Sequence, residues 1–302
     1  MTVQAWAELG LLGLIWGGSF LTIRLALDEV PVLTVVLHRV FWAALALWVW
    51  VLIRRLPVPR DLRIWGAFLI MGLLNNVIPF GLMTWGQLHI ETGLTSILNA
   101  ATAIFGVLVA AAVFADEKLT ARKLIGSVLG FLGVAVCVGI DQLLTLDLRS
   151  TAQLAVLGGA LSYAFASSWA RAQLKGLRPE VAAAGMLTGS TLILLPVALM
   201  RDGLPSADLS PVAYGAIAYY ALVATAGAYL LYYRVLAMAG AGNLMIVTLI
   251  IPPVAIVMGA LVLGETLLPQ AFAGFALLAI GLLTISGVLP LPRVIDRRRS
   301  AR

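Results

Sequence analysis

Apolar residues along this chain come in ten runs of 18 to 26 positions, near 5–26, 31–53, 63–86, 93–115, 123–140, 151–173, 179–200, 211–236, 243–263 and 270–289. Each is bounded by glycine, proline or charge, and about 20 apolar residues suffice to cross a bilayer as a helix. The pattern predicts an all-α integral membrane protein with ten transmembrane helices. The connections are short, so no soluble domain is expected. Glu8 is the first charge, and no basic start with a small-residue cleavage site precedes the first run. That run is therefore expected to be a retained helix.

The polar breaks carry orientation. With the N-terminus inside, one set of connections holds fifteen of the twenty basic residues: Arg54, Arg55, Arg60 and Arg63; Lys118, Arg122 and Lys123; Arg171, Lys175 and Arg178; and the tail arginines 293, 297, 298, 299 and 302. The other set holds only Arg24, Arg149 and Arg201, while Arg39 and Arg234 fall within helices. Basic residues collect in cytoplasmic loops, so both termini are expected to be cytoplasmic.

The runs also repeat. "ADEKLTARKLIGSVLGFLGVAVCVG" at 115–139 aligns with "LGETLLPQAFAGFALLAIGLLTISG" at 263–287 at a constant offset of 148. Glu117 then meets Glu265, Leu119 meets Leu267, Gly126 meets Gly274, Gly133 meets Gly281 and Gly139 meets Gly287. The expected organisation is a first five-helix repeat over 1–145, a second over 146–289, and a basic cytoplasmic tail over 290–302. Five helices per repeat make the second enter the membrane from the opposite side. Inverted repeats of this kind place a substrate site near the midplane of carriers, and their two related packings provide alternating access.

Composition agrees and removes alternatives. The chain is 62% hydrophobic and 11% charged, with a mean hydropathy of +1.03. Soluble domains are about half apolar and about a quarter charged. The pI near 9.8 does not signal nucleic acid, because the basic residues lie in loops between apolar runs. Cys137 is the single cysteine, so no intramolecular disulfide forms. Neither a phosphate-cradling G-x-x-x-x-G-K-[ST] loop, an HExxH or paired-cysteine metal site, nor a G-x-S-x-G nucleophile elbow occurs. No enzyme, metal or cofactor is expected. The expected partners are a small molecule and the lipid bilayer, with a monomer or weak homodimer as the assembly.

"LIWGGSFLTIRLAL" followed by "LHRVFWAALAL", and later "IIPPVAIVMGALVLGETL", give a family resemblance. The first two resemble the opening of EamA-type, ten-helix members of the drug/metabolite transporter superfamily, with a tryptophan in the first helix and an arginine in the second. The third resembles the ninth helix of that family, with its proline and closing Gly-Glu. Within the family the chain is similar to the YddG-type bacterial amino-acid exporters. The resemblance implies residence in the bacterial inner membrane. Where the second half has Pro252 and Pro253 the first has Ile104 and Phe105, so only the ninth helix is expected to carry a proline-broken backbone.

All fourteen acidic residues lie in loops or near helix ends. A cationic-drug pump driven by protons needs a carboxylate at depth, so the site is expected to use uncharged polar groups and aromatics. Helical spacing gives Trp16 with Phe20; Asn76, Phe80, Met83 and Gln87; Thr95, Asn99 and Thr102; Tyr163 and Ser167; Thr225, Tyr229 and Tyr232; and Thr248 with Pro252. Packing between membrane helices explains many such stripes without a ligand, yet the amides of Asn76 and Asn99 are costly at depth unless paired. The expected cargo is an amino acid, hydrophobic, aromatic or otherwise neutral, or a related metabolite. The alternative is a lipophilic drug, purine or sugar-type metabolite carried by the same fold.

The glycines of the fifth and tenth runs read as a close packing or dimerising pair, and Glu117 and Glu265 as caps of those helices. Trp48, Trp50 and Trp65 read as residues of an interfacial belt, and His38 as a packed neutral histidine. Arg39 is expected to act as an internal tie or gate, held by helix-end carbonyls or by Glu91, Asp141 or Asp147, in preference to contacting the carboxylate of a cargo.

Overall fold

A computed structural model describes residues 2–139, 147–244 and 246–289. Those residues form helices and connections, with no strand among them. In chain order the helices are α1 (Val3–Ala26), α2 (Val32–Ile53), α3 (Leu62–Gly86), α4 (Thr92–Val113), α5 (Ala121–Val138), α6 (Leu148–Gln173), α7 (Pro179–Arg201), α8 (Pro211–Gly240), α9 (Val247–Leu263) and α10 (Pro269–Ser286). Eight are long and apolar enough to cross a membrane. Of the other two, α9 is shorter. The 26-residue α6 is more polar, and it buries Ser150, Gln153, Ser162 and Ser168 inside the protein. The tail 290–302 and Asp141 lie outside the described residues.

The helix contacts come in matched sets. α5 packs most extensively on α10, and α2 on α7; α1 on α9 is matched by α6 on α4, α8 on α1 by α3 on α6, and α2 on α8 by α7 on α3. Exchanging each helix for the one five places along leaves this network unchanged. Partners related by that exchange also run antiparallel. A Cβ on Gly126 would lie 2.6 Å from the Gly281 carbonyl, and one on Gly133 would lie 2.6 Å from the Gly274 carbonyl. Thr34 at the start of α2 meets Asp202 just past the end of α7, while Trp48 near the end of α2 meets Thr188 in α7.

The expected close pairing of α5 with α10 is present, and small residues make it possible. The proline expectation fails. α9 stays helical from Val247 to Met258 through Pro252 and Pro253, because the bonds those prolines delete are among the first of the helix. The break falls in proline-free α4, between Thr92–Asn99 and Thr102–Val113. There the bonds tighten to a three-residue span, from the Ala100 amide to the Ile97 carbonyl (3.1 Å) and from Ala101 to Leu98 (3.1 Å). Three stretches widen instead into π-helical turns: Leu73–Val77 in α3, Tyr219–Gly227 in α8 and Gly259–Leu263 in α9. The repeat offset carries the first onto the second.

Trp48 and Trp65 form a stacked pair, 6.2 Å between rings. Trp48 donates to the Thr188 hydroxyl at 2.8 Å and Trp65 to the Pro59 carbonyl at 3.0 Å. These two hold helices and a loop together.

The glycine contacts give a direct test. A Cβ on Gly133 would sit 2.5 Å from the Leu278 amide nitrogen, whereas Gly66 has nothing within 4 Å. Gly133→Ala is expected to destabilise by about 1–3 kcal/mol and Gly66→Ala to be neutral or slightly stabilising. Melting of the two purified variants in detergent checks this, with the Gly133 variant melting lower than wild type and the Gly66 variant not.

Candidate functional site

The interior polar cluster is built on α2, α3, α6 and α8. Arg39 lies between Leu37 and Val40, both buried. Its Nε donates to the Thr225 hydroxyl at 3.0 Å, and its guanidinium carbon stands 3.8 Å above the centre of the Phe80 ring. The Tyr163 ring meets Phe80 edge-on, 6.4 Å between centres. Tyr163, Tyr220 and Tyr229 all lie close enough to interact with the Arg39 charge. Thr225 is set by the wide turn of α8, its hydroxyl donating five residues back to the Tyr220 carbonyl at 2.7 Å.

None of the ion pairs among the described residues includes Arg39. Two of the three carboxylates expected to tie it are engaged elsewhere, and the third, Asp141, lies outside the described residues. Glu91 takes both ends of the Arg149 guanidinium, at 2.8 and 3.1 Å. Asp147 accepts from the Ser150 amide at 2.8 Å and caps α6. An aromatic face and a hydroxyl nearer by hold the guanidinium inside. The two terminal nitrogens of Arg39 donate to no described residue. Arg39, Asn75, Tyr163 and Tyr229 all keep partial exposure although four helices surround them, so the cluster borders accessible space.

Asn76 is fully buried and donates to the Ser190 hydroxyl at 2.8 Å, tying α3 to α7. Its neighbour Asn75 faces the cluster and donates to the Tyr229 hydroxyl at 3.2 Å and to the Asn76 side-chain oxygen at 3.2 Å. The Tyr229 hydroxyl donates to that same oxygen at 3.4 Å. Sequence spacing passed over Asn75 because it assumes an unbroken α-helix, and the wide turn at Leu73–Val77 turns the register. One signal lay in "LLNNVIP": Pro79 cannot donate back to the Asn75 carbonyl, and wide turns occur where such a bond is lost. Gln87, on the same sequence stripe, donates to the Phe20 carbonyl at 2.9 Å and ties α3 to α1.

The other candidates lie around this centre or apart from it. Met83 is buried against Gly159. Trp16 donates to the Ala224 carbonyl in the wide turn of α8 at 3.2 Å and lies 5.8 Å from the Tyr232 ring. Asn99 and Thr102 flank the break in α4, 3.5 Å apart at their oxygens. Thr248 and Pro252 lie on α9, which packs against α1 and α4. Ser167 is exposed on α6 and donates to the Tyr163 carbonyl at 2.9 Å. His38, beside Arg39, accepts from Trp42 at 3.1 Å and borders a cavity of about 150 Å³ with Glu29, Thr34 and Asp202.

The two glutamates do not cap α5 and α10. Glu265 accepts from the Thr92 amide at 2.9 and 3.1 Å and from its hydroxyl at 2.7 Å, which caps α4. α10 opens on Pro269, which has no N–H to satisfy. Glu117 pairs with Lys123 at 2.8 Å and Arg171 at 3.0 Å, and Thr120 caps α5.

Comparison with known proteins assigns this arrangement to a family. The EamA-like transporter family model matches residues 6–139 and again residues 150–287. A probable terminal-alkyne amino-acid exporter of Streptantibioticus cattleyicolor is 30% identical over 95% of this chain and 93% of its own. The uncharacterized transporter YoaV of Bacillus subtilis is 25% identical over 89% and 92%. A probable amino-acid metabolite efflux pump of Salmonella typhimurium is 27% identical over 89% and 90%. A solved crystal structure superimposes with a TM-score of 0.67 over 95% of this chain and 99% of that one, at 14% identity, a likeness of fold alone. With both halves matched to one family model and the relatives covered nearly end to end, this chain is a membrane transporter of the EamA-like family in the drug/metabolite transporter superfamily.

Proposed function

We propose that the chain exports neutral amino acids, hydrophobic and aromatic ones foremost, or closely related carboxylate metabolites, across the bacterial cytoplasmic membrane. The observation that carries this reading is Arg39. A guanidinium held inside an apolar bundle with no carboxylate partner among the described residues is costly by several kcal/mol, and an anionic cargo removes that cost when it binds. The carboxylate of an amino acid would take the two free terminal nitrogens in a bidentate pair. The Asn75 side-chain oxygen and the tyrosine faces would receive the ammonium, and Phe80, Tyr163 and Met83 the side chain. Two relatives named for amino-acid export or efflux favour the same cargo class.

The carrier cycle in this reading alternates between two packings of inverted five-helix repeats, with both termini cytoplasmic. The matched helix contacts, the antiparallel course of related helices and the paired wide turns of α3 and α8 support it. Wide turns loosen the backbone ladder beside the site, which lets each repeat change shape where the cargo sits.

Four outcomes follow. In proteoliposomes, Arg39→Gln is expected to lower transport of a neutral amino acid roughly ten- to a hundredfold, the worth of charge-assisted hydrogen bonds of about 1.5–3 kcal/mol, while the protein stays monodisperse. Wild-type transport rates in a well-folded Arg39→Gln protein would refute the anchor. Asn75→Ala is expected to raise KM several-fold, and Ser167→Ala to leave both rate and KM unchanged. A fluorescent protein fused after residue 302 is expected to fluoresce, as it does only when left in the cytoplasm.

A further inference from the structure

One group beside Arg39 takes no part in the contacts that build the cluster: the hydroxyl of Tyr220. Tyr220 lies in the wide turn of α8 and is the largest fully buried side chain among the described residues. Its ring packs in an apolar cluster with Ile23 and Ala26 of α1, Val35 of α2 and Ile217 of α8. Its oxygen is buried and has no hydrogen-bond partner among the described residues. The tyrosine before it is satisfied, donating to the Ile15 carbonyl at 3.1 Å, and Tyr229 donates to Asn76. Most buried polar groups of folded proteins are paired, and an unmet hydroxyl costs stability. The cost is carried here although a phenylalanine ring would fill the same space.

The surroundings say which partner suits it. Val35, which packs in the cluster of Tyr220, stands four residues before Arg39 and shares its face of α2. Tyr220 is close enough to interact with the Arg39 charge. Its carbonyl accepts from the Thr225 hydroxyl at 2.7 Å, and that hydroxyl receives Arg39 Nε at 3.0 Å. One residue thus anchors Arg39 through its backbone and leaves a donor idle beside it. Val30 and Leu209 belong to the same apolar cluster and also line the cavity of about 150 Å³ beside His38. Tyr220 therefore links the Arg39 cluster to that cavity. A guanidinium and a phenol that both lack acceptors suit an anion with several lone pairs, as a carboxylate has. An amine would leave both unmet and be repelled by Arg39.

We infer that the Tyr220 hydroxyl is a further donor to the cargo carboxylate, which it and Arg39 grip together. In the state described here the packing of α1 and α2 covers the ring. The hydroxyl meets the carboxylate when the carrier opens toward the cavity beside His38. Binding then satisfies the two terminal nitrogens of Arg39 and the Tyr220 donor at once. Tyr220 is in this way a residue that selects carboxylates over amides and amines. The inference rests on the carboxylate-cargo reading above.

Tyr220→Phe tests it, because the substitution removes the oxygen and keeps the ring. Melting of the purified wild type and variant in detergent is followed without cargo, then across titrations of phenylalanine and of its amide. Without cargo the variant is expected to melt at or above the wild-type temperature, since it no longer buries an unmet hydroxyl. Its apparent affinity for phenylalanine is expected to fall about tenfold, the loss of one hydrogen bond to an ion. Affinity within about twofold of wild type, roughly 0.4 kcal/mol, overturns the inference at any melting temperature. A cargo-free variant that melts below the wild type, or does not fold, overturns it too, because the hydroxyl then has a partner in the folded protein. The wild-type titrations separate this inference from the reading beneath it. A wild type that prefers phenylalanine to its amide, beside a variant of unchanged affinity, refutes the role of Tyr220 alone. A wild type stabilised equally by both, or by neither, refutes the carboxylate cargo and the inference with it.

Discussion

The charge on Arg39 is the constraint on which the interior of this protein depends. Thr225 takes one of its donors and Phe80 its face, and among the described residues no carboxylate completes it. Water would satisfy the remaining donors, and an anion would satisfy them better in a region of low dielectric. The neighbouring side chains suit that outcome. Tyrosines and an asparagine surround the guanidinium with dipoles and π faces, and none of them carries a negative charge that would outcompete a carboxylate from solution. Among the described residues, Glu91 is engaged with Arg149, and Asp147, Asp202 and Glu265 accept from amides at helix N-termini.

Local backbone irregularity places those side chains. The wide turns of α3 and α8 lie at matching positions of the two halves and face the same space. In α3 the turn separates two adjacent asparagines by role: Asn76 is locked to Ser190, and Asn75 turns to Tyr229. In α8 it lets the Thr225 hydroxyl reach the Tyr220 carbonyl, fixing the oxygen that receives Arg39. Away from the site the fold is more regular. Glycine-lined α5 and α10 press backbone to backbone, and α2 and α7 cross with tryptophan and carboxylate contacts at their two ends. The wide turns thus lie beside the Arg39 cluster, with close-packed pairs at the margins.

Much of this was legible in the sequence, for reasons that differ by residue. Apolar run length marked the helices because each must satisfy its own backbone, and the glycine pattern of α5 and α10 showed in spacing because contact at that distance excludes a Cβ. Phe80, Tyr163 and Tyr229, picked out by spacing, come together around Arg39, because each projects from a regular stretch of helix or lies beside one. Asn75 was missed because a wide turn shifts the register that spacing arguments assume. The break in α4 was missed because no proline marks it. Of the outer carboxylates offered to Arg39, Glu91 and Asp147 are engaged elsewhere, and pairing between distant loops has no signature in a single chain. Glu265 capping α4 instead of α10 is a contact of the same long-range kind.

The central claim is that the cargo supplies the counter-charge that the protein withholds from Arg39. Thermal melting of the purified wild-type protein with free phenylalanine, with its amide and with phenethylamine tests it most directly, since a ligand that binds the folded state raises its melting temperature. The three share a ring and an amine, and only the first carries a carboxylate. A concentration-dependent rise in melting temperature is expected with the amino acid and none with the amide or the amine. An equal rise with all three would contradict it.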